Sequence, residues 1–201
     1  ITAFCQTDAG AQCATGSHLL IATGRRANVH GLNLEAAGIS YSSRGVEVDA
    51  RLRSSNRKVF AIGDVAGPYQ FTHMAAYQAG IVMRNMLFTW PSKVDYAAVP
   101  WVTYTDPELA HVGLSEADAI EGGKQIRVLR WQFSENDRAQ AEKRTEGMIK
   151  VITSPKGHIL GASIVGLHAG ELIQPWNFAI SQRLKMGAIA SILAPSPTLA
   201  E

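Results

Sequence analysis

Asp64 is the residue in this chain best placed to hold a ligand. It follows Gly63 at the end of the short apolar run within Lys58–Ala66. That run reads as a buried strand delivering one carboxylate to a turn at its carboxyl end. Open α/β sheets bind their ligands at that edge. Further on, Thr72-His73-Met74-Ala75-Ala76-Tyr77-Gln78-Ala79-Gly80 sets a capping residue before good helix formers, so a helix is expected to start there. Its free amides and positive dipole end would sit beside whatever Asp64 holds, which suits a ligand with negative oxygens or a developing negative charge. The Gly-Asp pair on its own fits an ordinary strand, turn and helix just as well, with Asp64 as a loop acid.

The other chemistry-bearing side chains form no such constellation. Cys5 and Cys13 lie eight apart among Gln, Thr, Ala and Gly, which is neither a Cys-x-x-Cys redox pair nor a zinc spacing. Both are expected to be ordinary thiols in a reducing cytoplasm, with a disulfide across a hairpin as the alternative. His18, His30, His111, His158 and His168 are scattered without ligand spacing and read as surface or structural side chains. No metal is assigned.

The 201 residues can bury a full core, as one large domain or two small ones. Hydrophobic residues make up 46% and charged residues 18%, with a net charge of +2. That balance is globular and gives no case for a nucleic-acid partner or a membrane surface. No run approaches the roughly 20 apolar residues that span a bilayer. Residues 1–8 carry no charged leader with an apolar core, so a cytoplasmic piece of a longer chain is expected.

Elements that would position these residues follow in order. Ile1–Phe4 and His18–Ala22 read as two strands joined by a turn around Asp8-Ala9-Gly10. Gly31–Gly38 reads as a helical turn closed by glycine, and Gly45–Asp49 alternates like a half-exposed strand. The helix from Thr72 continues to Phe88, with Ala79, Val82, Met83 and Met86 as a core-facing stripe. Trp90-Pro91-Ser92 then breaks the pattern, and a boundary is expected between Pro91 and Val99. Beyond it come a helix at Glu116–Glu121 and strands at Ile126–Phe133, Gly147–Thr153 and Ile159–Gly166. A Ser154-Pro155-Lys156-Gly157 turn joins the last two strands, and a helix over Ala169–Lys185 breaks near Pro175. This half reads as an α+β domain with a helix packed on an antiparallel sheet.

Three segments carry a family resemblance. Ala22-Thr23-Gly24-Arg25-Arg26-Ala27-Asn28 is similar to an Ala-Thr-Gly-Arg-x-Pro-Asn motif, with Ala27 in place of the proline, and Ala61-Ile62-Gly63-Asp64 matches an Ala-x-Gly-Asp motif. Tyr104–Ala110 with Val112-Gly113-Leu114, Arg138-Ala139, Gly147 with Lys150, and Ile159–Gly166 with Ala169 and Glu171–Ile173 extend the likeness to the second half. Together they resemble the pyridine nucleotide-disulfide oxidoreductases, the flavoenzyme family of glutathione reductase, dihydrolipoamide dehydrogenase and mercuric reductase. The resemblance implies three parts: residues 1–21 as the tail of an NAD(P)-binding domain, 22–95 as the second half of an FAD-binding domain, and 98–201 as a dimerisation domain. The implied fold is an α/β flavin segment, three-layered with a partly parallel sheet, followed by the α+β domain. It implies FAD held at Gly24, Arg25, Gly63, Asp64, Thr72, His73, Met74 and Ala75, with backbone amides rather than the His73 imidazole making the contact. It also implies NAD(P)H as hydride donor, a disulfide or small-molecule substrate, and a homodimer. The family's redox pair, Cys-x-x-x-x-Cys, and a Gly-x-Gly-x-x-Gly fingerprint do not occur in these residues.

The carboxyl end departs from the pattern. The family ends in His-Pro-Thr-x-x-Glu, whose histidine serves as acid and base for the thiol of the other subunit, a task suited to a pKa of about 6.5. Here the segment is Ser196-Pro197-Thr198-Leu199-Ala200-Glu201. Only Glu201 is retained, as a family-equivalent position, and Ser196 holds no proton in reserve near neutral pH. The expectation is the carboxyl-terminal part of an FAD-dependent oxidoreductase, inert by itself. Its parent would move hydride from NAD(P)H to a disulfide, a metal ion or another acceptor. The alternative is a homodimerising module without flavin.

Overall fold

Residues 1–88 and 91–201 are described by a computed structural model, in which the chain divides between Val94 and Asp95 into two units. Trp90, part of the expected break, lies outside the described residues.

In the first unit, β1 (Thr2–Thr7) and β2 (Gly10–Thr15) form an antiparallel hairpin in which Thr7 faces Gly10. Gly10 adopts a φ of +105 that closes the tight connection. The second strand therefore lies before the expected His18–Ala22, because the ladder closes on the residues immediately after the turn. Leu19, Leu20 and Ile21 form no strand and are exposed. Phe4 pairs with Cys13, and Cys5 with Gln12. Successive strand residues point to opposite faces, so the two thiols point away from each other. Both are free and exposed, which removes the disulfide alternative.

Gly38, at φ +68, closes the turn after Gly31. Its amide donates to the Glu35 carbonyl and that of Ile39 to the Leu34 carbonyl, the Schellman pattern. A second small hairpin pairs β3 (Tyr41–Ser42) with β4 (Gly45–Val46). The strand expected through Asp49 stops early because the Asp49 carboxylate folds the chain back. It accepts from the amides of Arg51 (2.8 Å) and Arg53 (3.0 Å) and from the Arg53 guanidinium.

The run at 58–62 is not a strand either. It makes one antiparallel bridge, Arg53 with Phe60, and leads into a 3₁₀ turn at Gly63–Ala66. Every strand pairing among the described residues of this unit is antiparallel, so the run finds no parallel neighbour here. A small core of Ala27, Val29, Leu34, Ile39, Val46, Ala61 and Ala66 gathers these turns.

Helix α1 spans Thr72–Leu87. The residue capping it is Phe71, whose side chain makes no capping bond, and Thr72 is already helical. Its buried face is Met74, Gln78 and Ile81, whereas Met83 and Met86 of the expected stripe are exposed. The face is turned by one residue because Gln78 is drawn inward to a backbone amide.

In the second unit the strands pair antiparallel throughout. They are β5 (Pro100–Thr103), β6 (Glu108–Gly113), β7 (Arg127–Gln132), β8 (Met148–Thr153) and β9 (Ile159–Gly166), in the sheet order β5-β6-β9-β8-β7. Helix α2 (Glu116–Glu121) starts at Ser115, whose hydroxyl accepts the Asp118 amide, and α3 (Asp137–Glu142) starts at Asn136, which accepts from Ala139. The Ser154–Gly157 turn closes with the Gly157 amide on the Ser154 carbonyl, at 2.9 Å. The expected long helix is broken as its proline dictates, into α4 (Ala169–Leu172) and α5 (Gln174–Ser181), with Pro175 in the first turn of α5. It ends short of Lys185, and α6 (Met186–Ala190) follows. Helices α4 and α5 cover β6 and β9 over a core that includes Ala110, Val112, Ile164, Ile173 and Ala179.

Candidate functional site

The 3₁₀ turn after Ile62 and the start of α1 are held together by two short-range constraints. Gly63 has a φ of +69, and a Cβ built on it would lie 3.2 Å from the Ala75 Cβ. A larger residue would be strained by the backbone and would push the helix away. Its amide donates to Gln78 Oε1 at 2.7 Å in a buried bond, which supplies the partner that a buried N–H requires. Gln78 is thus a positioning residue the sequence reading passed over. Its signal was a polar side chain in phase with Met74 and Ile81.

Fixed in this way, Asp64 stands at the surface with its carboxylate about half exposed, and Arg25 Nη1 lies 3.6 Å from its Oδ2. The same nitrogen donates to the Gln70 carbonyl at 3.0 Å. The Met74 and Ala75 amides turn back to the Phe71 carbonyl. The Thr72 and His73 amides find no acceptor among the described residues, as expected of a helix start. A carboxylate and a guanidinium therefore stand together beside the segment that leads into α1.

Of the other expected ligands, Met74 is buried and can offer only its backbone. The His73 ring stacks on Phe71, centroids 5.1 Å apart and planes 10° from parallel, which leaves the amide as its contribution. Gly24 precedes Arg25 at φ +126, a conformation that favours glycine.

Ser196 and Glu201 belong to the second unit and are exposed. The segment between them is held by Asn136 Nδ2 donating to the Thr198 carbonyl at 3.0 Å, and Leu199 packs against the core. His111 bonds Ser163 Oγ (2.8 Å) and the Gly113 carbonyl (3.0 Å) beside Trp101, and His158 bonds the Arg183 carbonyl. Both are structural. Among the described residues no group of three or more His, Cys, Asp or Glu side chains could hold a metal ion, and no helix is long and apolar enough to cross a membrane.

Both units have counterparts in known proteins. Residues 99–201 match the pyridine nucleotide-disulphide oxidoreductase dimerisation domain, and residues 5–79 match the pyridine nucleotide-disulphide oxidoreductase domain. The chain belongs to the pyridine nucleotide-disulphide oxidoreductase family. It is 37% identical to the dihydrolipoyl dehydrogenase of Geobacillus stearothermophilus over 186 residues, covering 92% of this chain and 39% of that relative. To the mercuric reductase of Bacillus cereus it is 36% identical over 185 residues, 91% of this chain and 29% of that one. Among solved structures, LpdA from Mycobacterium tuberculosis superposes with a TM-score of 0.87 at 28% identity, over 98% of this chain and 45% of that one. RclA from Escherichia coli, described as an HOCl-induced flavoprotein disulfide reductase, gives 0.83 at 26% identity, over 98% and 48%. The chain thus spans less than half the length of these relatives.

Proposed function

We propose that this chain forms the carboxyl-terminal part of an FAD-dependent oxidoreductase that moves hydride from NAD(P)H to a disulfide, a metal ion or another acceptor. In this reading residues 1–21 end the nucleotide-binding domain, 22–95 complete a three-layered flavin domain, and 98–201 pair two copies in the cytoplasm. The observation that carries it is the standing of Asp64 with Arg25 beside the segment that leads into α1, in a chain of this family.

The residues fit a flavin dinucleotide. Gly63 lets the turn approach α1, and the Asp64 carboxylate is open to accept hydrogen bonds from ligand hydroxyls. The Thr72 and His73 amides are free to meet negative oxygens. Bound there, FAD supplies the two-electron chemistry, and the protein supplies orientation and electrostatics.

Ser196 shapes the choice of acceptor. An exposed serine at the family's histidine position offers no acid or base near neutral pH. The reading therefore favours an acceptor whose reduction draws no proton from that position, and leaves Glu201 without a histidine to steer. By itself the chain is expected to turn over no substrate.

Size-exclusion chromatography of the purified chain with added FAD, followed at protein and flavin absorbance, tests this. The expected result is a dimer that carries flavin. A dimer without flavin would replace the reading with a dimerisation module, and a monomer would overturn the pairing of two copies.

A further inference from the structure

We propose that the outer edge of β7 takes up an extended acidic segment of a partner protein as an added strand, which sets two apolar side chains and a carboxylate against Trp131, Leu129 and Arg127. The inference concerns the second unit alone and does not depend on the flavin reading above.

Strand β7 ends the sheet order and has β8 as its one neighbour among the described residues. The amide of Phe133, just past the strand, donates to the Gly147 carbonyl at 3.1 Å. In an antiparallel pair, successive residues turn their backbone groups alternately toward the neighbour and away from it. Arg127, Leu129 and Trp131 therefore bond to β8, and Val128, Arg130 and Gln132 turn their amides and carbonyls outward. Those outward groups find no backbone partner among the described residues. The register runs from Arg127 to Gln132 without a bulge, and the strand holds no proline, so the edge lacks two devices that commonly close one.

The side chains select what can lie there. Leu129 pairs with Val151 and Trp131 with Ile149, which puts both on the face that carries the core. Helices α4 and α5 cover β6 and β9, and the rim at β7 stays open, with Leu129 42% and Trp131 55% exposed. An added strand would cover both while it satisfies the outward backbone groups. Arg130, on the opposite face, is engaged with Glu116 at 3.0 Å. Arg127 lies on the same face as Leu129 and Trp131 and has no carboxylate partner among the described residues. The occupant must therefore bring an acidic residue opposite Arg127 and apolar residues opposite the other two. A second copy of β7 does not meet this demand, since each charged residue of the strand is an arginine and like charges in one ladder repel.

The test uses the chain and a blocked, dye-labelled peptide, Thr-Val-Thr-Ile-Thr-Glu-Thr, followed by fluorescence anisotropy. Antiparallel to β7, it sets Val, Ile and Glu against Trp131, Leu129 and Arg127. Saturable binding is expected, weakened about tenfold when Lys replaces the peptide's Glu, as reversal of one facing charge implies. Arg127→Glu is expected to invert that preference. Gln132→Pro removes one outward amide where φ is already −89 and leaves the bonds to β8 intact. It is expected to weaken the peptide about fivefold or more with an unchanged circular dichroism spectrum. No binding by the folded wild-type chain, equal affinity for the Glu and Lys peptides, or full binding of a peptide N-methylated at its inner threonines would each overturn the inference. If Arg127→Glu fails to fold, Arg127→Ser replaces it, and a Lys peptide still about tenfold weaker there would overturn the inference equally. A chain that self-associates and comes apart on Trp131→Arg would give the edge to a second copy instead.

Discussion

The two units differ in where their backbone partners come from. In the second, each strand pairs antiparallel within one sheet, and α4 and α5 cover the core strands. In the first, the pairings among described residues are two short hairpins and one bridge, and the core that gathers its turns is made largely of alanine and valine. Its order comes instead from side chains that satisfy backbone groups, as Asp49 does at Arg51 and Arg53 and Gln78 does at Gly63. Packing governs one unit and specific polar bonds govern the other. Substitutions should therefore hurt the two in different ways.

The largest effect is expected at Gly147, where a Cβ would sit 1.9 Å from the Val165 carbonyl oxygen at a φ of +118. Gly147→Ala should cost about 4 kcal/mol or more by urea denaturation, since backbone atoms rather than a flexible side chain must move. A loss near zero would show that the sheet yields more easily than the comparison holds. Ile164→Ala, in the fully buried centre of β9, should follow with a loss of about 3 kcal/mol.

In the first unit, Gln78→Ala leaves the Gly63 amide buried without its acceptor and should destabilise by about 2 kcal/mol. Hydrogen exchange at Gly63 would sharpen the contrast by rising in this variant while the five-stranded sheet stays protected. A smaller effect is expected from Glu116, which accepts from Lys150 at 3.2 Å and from Arg130 at 3.0 Å. The Lys150 hydrogen bond and the neighbouring Arg130 charge hold its carboxyl below the ordinary glutamate value. Its folded pKa is depressed, so the stabilisation is present above the unfolded value and lost as pH falls through the folded one. Glu116→Gln should flatten that part of the acid melting profile. Leu20→Ser, at a side chain 87% exposed, should change stability by less than about 0.5 kcal/mol. A larger loss would mean that the first unit leans on this run after all.

Legibility from sequence follows the same divide. Strand β9 and helix α2 have the boundaries expected from the sequence, and Pro175 breaks its helix as its chemistry requires. These signals are carried by the residues of the element itself, even where a partner such as β6 lies far off in sequence. The apolar run before Gly63 carries the same pattern as a strand, yet pattern cannot supply the neighbour a ladder needs, and the run made one bridge. The methionine stripe failed for a related reason. Helical phase gives a period but not which face is inward, and Gln78 settled that through a bond made fifteen residues away. The onset of α1 at Thr72 was readable because a run of good helix formers carries its own signal. The Arg25 contact was not, since 45 residues separate it from Gln70.

The order β5-β6-β9-β8-β7 also bears on how the second unit is made on a ribosome. Strand β9, residues Ile159–Gly166, lies between β6 and β8 and is the last strand to be synthesised. Until it emerges, the β5-β6 and β7-β8 pairs have no ladder between them, and β6 and β8 each present an unpaired edge. At about 5–20 residues per second, the interval between the end of β6 and the end of β9 lasts a few seconds. During that time β6, and β8 once it has been made, each offer an open edge to any other extended chain nearby.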